Sequence, residues 1–285
     1  MSNWTPLSPS VYHSLPVGKT FGMTDVGVVR ESNEDNFLID QNLGLIMIAD
    51  GMGGHEAGEV ASKEALVAIR DFIQKVIPLF DQKDSDEPTT FSPAHDASFY
   101  DPDATWSDDT MPAIMTLFDA VEFANSLLYA QNLANSNGEG HGMGTTLTGL
   151  WQFQKNGPLL AFHVGDSRLY RYRAGELSQL TRDQTLYQQA LEEGLLDNLP
   201  PRNMLLQAMG PYESVKPEVK PHQVQAGDLF MLCTDGLHGS VPHGMMAELM
   251  GKTSAINLEQ TCTELISLAK DHGSRDNITV MILAC

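Results

Sequence analysis

The stretch Gly44–Gly58, "GLIMIADGMGGHEAG", carries an apolar run into a single carboxylate, Asp50, and then into glycines. Its first half has the length and apolar character of a buried strand. Beyond it, Val60, Ala61, Leu66, Ile69, Ile73 and Val76 recur at helical spacing, which predicts an amphipathic helix from Glu56 to about Phe80. A strand, a glycine turn and a helix could also encode a nucleotide-binding loop. The stretch lacks the Gly-Lys-Ser/Thr ending of a P-loop, and Glu56 stands where a dinucleotide fingerprint needs its third glycine. Nor does His55-Glu56 have a zinc-protease partner, because position 59 is Glu59. What remains is a carboxylate at a strand end, with glycines that let the backbone turn sharply and bring a peptide carbonyl close to a ligand.

Working outward, "DNFLID" (35–40) and the turn-rich "QNLG" complete a hairpin with this strand. A second helix is predicted from about Pro112 to Asn135, with Ile114, Leu117, Val121 and Leu128 on one side. Strand-like segments follow: "TTLTGLWQF" (145–153), "PLLAFHVGD" (158–166), "RLYRYRAGELSQLT" (168–181), "DLFMLCTD" (228–235) and "NITVMILAC" (277–285). The helical segments "LYQQALEEGLL" (186–196) and "NLEQTCTELISLAKDHG" (257–273) interrupt them. Strands and helices do not alternate strictly, and no repeat or clean linker is visible. The expectation is therefore an irregular Pro/Ser-containing arm over residues 1–19 and one α+β domain over 20–285 with largely antiparallel sheet.

The formal net charge of −20 argues against a nucleic-acid backbone or an anionic membrane as the main partner, and favours cations as guests. Residues 80–112 hold nine acidic residues against Lys83, a net −8, and read as a surface insertion. The three cysteines, Cys233, Cys262 and Cys285, support neither a disulfide framework nor a CxxC zinc site. Cys233 and His163 read as packed strand residues rather than reactive groups. With no signal-peptide pattern and no run of membrane-spanning length, a cytoplasmic location without membrane insertion is expected.

A pattern emerges when strand ends are compared. "LIMIAD" ends in Asp50, "FHVGD" in Asp166 and "FMLCTD" in Asp235, while Asp276 opens "DNITVMIL" and Glu34-Asp35 opens "EDNFLI". If these strands are neighbours, the acids converge at one edge, where they repel one another unless cations hold them together. Hard oxygen ligands without a Cys or His set select Mg²⁺, Mn²⁺ or Ca²⁺ rather than Zn²⁺.

The segments "TDVGVVRESNEDNF", "IADGMGGHEAGEVAS", "GMGTTLTGL", "FHVGDSRLYRYRAGELSQLT", "LCTDGL" and "SRDNITVMIL" together resemble the ordered motif set of the metal-dependent protein phosphatases, the PPM or type 2C family, in its bacterial form. The resemblance implies a four-layer α-β-β-α sandwich, two antiparallel sheets flanked by helices, with two or three Mn²⁺ or Mg²⁺ ions at one edge. It implies that Asp50 bridges two ions, that the Gly51 carbonyl completes the second site, and that Asp235 and Asp276 bind the first. Glu34 and Asp35 match the acidic pair that coordinates metal or holds metal-bound waters, and Asp166 matches a ligand of a third, weaker ion shared with Asp235. Arg30 matches the phosphate-binding arginine and His55 a general acid for the leaving oxygen.

The activity implied is hydrolysis of phosphoserine and phosphothreonine on proteins, in opposition to a serine/threonine kinase, by a monomer whose partners are phosphorylated proteins. Two other readings remain open: a silent phosphoprotein-binding regulator of the same fold, and a metal-dependent hydrolase of small phosphoesters. Two features depart from the family pattern. Where many bacterial relatives read Asp-His-Ser after "SQLT", this chain reads "RDQT", so Gln184 replaces a histidine. The acidic 80–112 segment is also longer than the compact pattern needs. Residues 186–218 match the family's variable flap.

Overall fold

The computed structural model describes residues 9–53, 56–80, 110–135 and 142–285. In chain order the strands are β1 (His13–Leu15), β2 (Gly18–Asp25), β3 (Asp35–Asp40), β4 (Leu45–Met52), β5 (Gly144–Thr145), β6 (Leu147–Trp151), β7 (Leu159–Val164), β8 (Arg168–Arg173), β9 (Glu176–Gln179), β10 (Glu218–His222), β11 (Leu229–Cys233) and β12 (Ile278–Ala284). The helices are α1 (Glu56–Phe80), α2 (Thr110–Asn135), α3 (Leu186–Glu192), α4 (Asp235–His238), α5 (His243–Gly251) and α6 (Leu258–Asp271).

One sheet runs β1-β2-β12-β11-β8-β9 and the other β10-β7-β6-β4-β3, with β5 paired to β4. All of their neighbouring strands are antiparallel. Strand alternation divides the apolar residues between three cores. From β4, Leu45, Met47 and Ala49 pack with α1 and α2, while Ile46 and Ile48 meet Leu169, Phe230, Leu232, Met281 and Leu283 of the facing sheet. From β12, Val280 and Ile282 turn the other way, onto Cys262, Leu265 and Ile266 of α6. The order is helices, sheet, sheet, helices. Strands buried on both faces need apolar residues at every position, which is why these runs read as continuous rather than alternating.

Such strands have no polar face to set their register, so their ends must. In the β3–β4 hairpin Asp40 accepts from the Asn42 and Leu43 N–H groups and fixes the turn. That turn brings Asp35 directly opposite Asp50 at the far end.

Two expectations are corrected. The arm over 1–19 is not irregular throughout: His13–Leu15 pairs with Gly18–Thr20 as an edge hairpin, and β2 continues along all of β12. The partner strand lies more than 250 residues away, and Thr20, Gly22 and Thr24 dilute the apolar signal in β2. Within the 186–218 segment, Glu218 already opens β10, an edge strand that tolerates Pro221 because only one of its sides is paired. Most of the acidic 80–112 segment, residues 81–109, lies outside the described residues. Among the described residues no helix is long and apolar enough to cross a membrane.

Candidate metal centre

The strand-end acids do meet. Asp35 opens β3 and Asp50 lies opposite it near the end of β4; Asp166 follows β7, Asp235 begins α4 just beyond β11, and Asp276 precedes β12. Both sheets therefore contribute to one edge of the sandwich. Asp50 feels the charges of Asp35, Asp235, Asp166 and Asp276, and Asp235 feels Asp276 in turn.

Crowding shows in the proton affinities. Burial, opposed by the hydroxyls of Thr279 and Thr234 and reinforced by Asp235 and Asp276, pushes Asp35 up to about 7. Burial, with repulsion from Asp235 and Asp183, takes Asp166 to about 7. Asp235 rises to about 6, again first through burial and then through Asp276. Asp50 is raised well above the ordinary carboxylate range by desolvation and by its four acidic neighbours. A protein that gathers carboxylates at this cost in desolvation and repulsion is set up to be neutralised by cations.

Two atoms test that fit. Asp35 Oδ1 and Asp235 Oδ1 are buried and have no hydrogen-bond partner, so each leaves a lone pair for a ligand of the cluster. The donor set is carboxylate and carbonyl oxygen, which suits Mn²⁺ or Mg²⁺. Among the described residues no three His, Cys, Asp or Glu side chains already close around one point; the acids share one edge of the sandwich without forming a closed shell.

The backbone beneath them is held by hydroxyls. Asp50 N–H donates to Thr146 Oγ1 at 3.1 Å, and Thr145 Oγ1 donates to the Asp50 carbonyl at 2.9 Å. Thr146 Oγ1 in turn meets Ser167 Oγ at 2.7 Å, tying the Asp50 strand to the Asp166 turn. Thr234 and Thr279 both donate to Asp35 Oδ2, at 2.9 and 2.7 Å. Asn277 accepts the Glu34 N–H and donates to the Val26 and Ser32 carbonyls, which holds the Arg30 loop against β12. None of these residues stood out in the sequence as functional. Position offers a partial signal: Ser167, Thr234, Asn277 and Thr279 stand within three residues of a strand-end acid, whereas Thr145 and Thr146 do not.

The glycines after Asp50 answer to close packing. A β-carbon on Gly51 would overlap the Gly58 carbonyl, and one on Gly58 would overlap the Glu34 carboxylate. Glu34 is buried beside α1 with its carbonyl accepting from Ser62 Oγ at 2.6 Å. Arg30, on an exposed loop, reaches the same edge and donates from Nη2 to Asp276 Oδ2 at 2.7 Å. His55 lies outside the described residues. His163 is a buried strand residue whose Nδ1 meets Thr148 Oγ1, and burial holds the Cys233 thiol up at about 12.

Residues 29–274 match the family model for protein phosphatase 2C. The chain belongs to that family. Among phosphatase 2C relatives it is 33% identical over 264 residues to the serine/threonine protein phosphatase PstP of Mycobacterium tuberculosis. That alignment takes in 91% of this chain but spans only 43% of the PstP length. It is 31% identical to the serine/threonine phosphatase stp of Listeria monocytogenes, with 91% of this chain and 93% of the relative covered. The solved catalytic domain of PstP in complex with two manganese ions superposes with a TM-score of 0.69 at 30% identity, covering 92% of this chain and 96% of that one. In this phosphatase 2C chain Gln184 is buried, and its Oε1 accepts the Gly165 N–H at 2.8 Å, immediately before Asp166.

Proposed function

We propose that this chain is a metal-dependent protein phosphatase that hydrolyses phosphoserine and phosphothreonine esters. The observation that carries the reading is the convergence of strand-end acids from both sheets, with Asp35 Oδ1 and Asp235 Oδ1 buried and unpartnered, in a phosphatase 2C chain. Asp50, Asp235, Asp276, Glu34 and the Gly51 carbonyl would hold two divalent ions, and Asp166 with Asp235 a third. When bound, such ions supply an activated water and neutralise phosphate charge for in-line displacement.

The chain's own groups supply the rest. Arg30 exchanges its pairing with Asp276 for two phosphate oxygens, a geometry that the guanidinium fork matches. Asp35, anchored through Oδ2 by two threonines, keeps Oδ1 as an acceptor that orients the attacking water. His55 protonates the leaving serine or threonine oxygen. Glycine at positions 51 and 58 lets β4, α1 and Glu34 approach closely enough to share the site.

The substrates in this reading are phosphoproteins of the cytoplasm, modified by a serine/threonine kinase that this enzyme opposes as a monomer. Support comes from the relatives that carry the name serine/threonine phosphatase and from a net charge of −20, which disfavours a nucleic-acid backbone as the partner. The test is phosphate release from a phosphothreonine peptide with Mn²⁺, with Mg²⁺ and after EDTA. Metal-dependent release is expected. Folded protein that releases none with either metal would turn the reading toward a silent phosphoprotein binder, and faster turnover of nucleotides than of phosphopeptides toward a small-phosphoester hydrolase.

A further inference from the structure

The Asp166 turn is held by side chains from two other parts of the chain. Gly165 has φ +104° and an added β-carbon there would overlap Thr146, so the chain reverses at a position where only glycine fits without strain. Both of its peptide groups are taken by one residue: its N–H donates to Gln184 Oε1 at 2.8 Å and its carbonyl accepts the Gln184 N–H at 2.8 Å. On the other side, the Asp166 carbonyl meets His238 Nε2 at 3.0 Å, which makes Nε2 the protonated nitrogen. His238 ends the short helix that Asp235 begins, so this bond joins the two acids assigned to the third ion. Two residues after Asp166, Arg168 is gripped through two hydrogen bonds by Asp183, the neighbour of Gln184.

We propose that Gln184 and His238 are positioning residues that hold the backbone on either side of the Asp166 side chain and thereby set how tightly its carboxylate, with that of Asp235, binds a divalent cation. This rests on the metal-centre reading above and adds to it a task for two residues that touch neither substrate nor ion. Hydrogen bonds of this outer kind orient first ligands, and their loss commonly weakens metal binding by about 10- to 100-fold. Gln184 also accepts the Leu206 N–H on its own carbonyl at 2.7 Å, so its backbone is anchored whether or not its side chain bonds.

The test compares Gln184→Met, which keeps length and loses the acceptor, with Gln184→Glu, which keeps an acceptor. Manganese is titrated calorimetrically into metal-stripped full-length protein, and exchange of the Gly165 amide proton is followed by NMR without metal. In Gln184→Met the weakest Mn²⁺ step is expected to shift by about 10- to 100-fold and the Gly165 amide to exchange faster, while Gln184→Glu binds at least as tightly as wild type. Should Gln184→Met fail to fold, His238→Gln, which retains an N–H donor, and His238→Leu, which does not, make the same comparison. A Met titration superimposing on wild type, or Glu as weak as Met, overturns the proposal. Wild type that binds Mn²⁺ yet releases no phosphate would instead overturn the phosphatase reading and leave this one in place.

Discussion

Arg30 Nη2 lies 2.7 Å from Asp276 Oδ2, so the guanidinium assigned to phosphate rests on a carboxylate assigned to metal. The side chains are 50% and 35% exposed, and an ion pair this open is worth at most about 1 kcal/mol. A phosphate offering two oxygens at the same edge is the stronger partner. Arg30→Ala should therefore lower kcat/KM on a phosphopeptide by about 10- to 100-fold, the equivalent of roughly 1.5–3 kcal/mol for a charged hydrogen bond. Most of the loss should fall on KM, and Arg30→Lys should recover only part of it because an ammonium cannot fork. Steady-state kinetics decide this; an unchanged kcat/KM would remove Arg30 from the phosphate site.

Asp50 and Asp235 repel each other within one buried cluster, which separates their catalytic value from their effect on folding. Asp50→Asn and Asp235→Asn should each abolish turnover, because an amide neither bridges nor neutralises cations as a carboxylate does. Each should leave the metal-stripped protein as stable as wild type or more so, since a buried like charge is removed. Melting in EDTA beside an activity assay separates the two effects. Full activity in either variant would sink the two-metal assignment.

How far the sequence discloses this arrangement depends on the range of the forces involved. The span of α1 and the strands β3, β4, β7, β11 and β12 are legible because apolar residues recur locally, and the acids are legible because each interrupts such a run at its end. β2 and β10 are not: β2 is a strand by virtue of β12, more than 250 residues away, and β10 carries Glu218, Lys220 and Pro221, which deny it a strand signature. Thr146, Thr234, Thr279 and Asn277 escape notice for a related reason. Hydroxyl and amide groups gain their role only when folding sets a carboxylate or a bare peptide group opposite them, and no spacing rule announces that.

The crowded acids also make a prediction about pH. Asp35 and Asp166 are raised to about 7 and Asp235 to about 6 in the fold, against about 3.9 for an unfolded aspartate. Between those values the native chain binds more protons than the unfolded one, so metal-free stability falls as pH rises. The contribution is fully present below about pH 4 and is lost by the time pH has passed 7. Metal-stripped protein should melt at a lower temperature at pH 8 than at pH 5.5, and saturating Mn²⁺ should abolish or invert the difference by binding the deprotonated form. A metal-free melting temperature that rises across this interval would contradict the burial of these carboxylates.

Gly58 sets two physical effects against each other. Alanine is the better helix former by about 0.8–1.0 kcal/mol, and Gly58 lies in the first turns of α1, so propensity alone predicts that Gly58→Ala stabilises. The added β-carbon, however, would overlap the Glu34 carboxylate and press on Gly51, and neither can retreat easily: Glu34 is buried and Gly51 N–H is bonded to the Glu34 carbonyl. Overpacking of this kind costs about 1–3 kcal/mol, more than the propensity returns. Gly58→Ala should therefore melt below wild type and need more Mn²⁺ for half-maximal activity, because Glu34 must move. Gly244→Ala in α5, where an added β-carbon meets nothing within 4 Å, is the control and should melt at or slightly above wild type. If both alanine variants are stabilising, Glu34 does not sit against α1, and the tight approach of β4 and α1 has no part in forming the site.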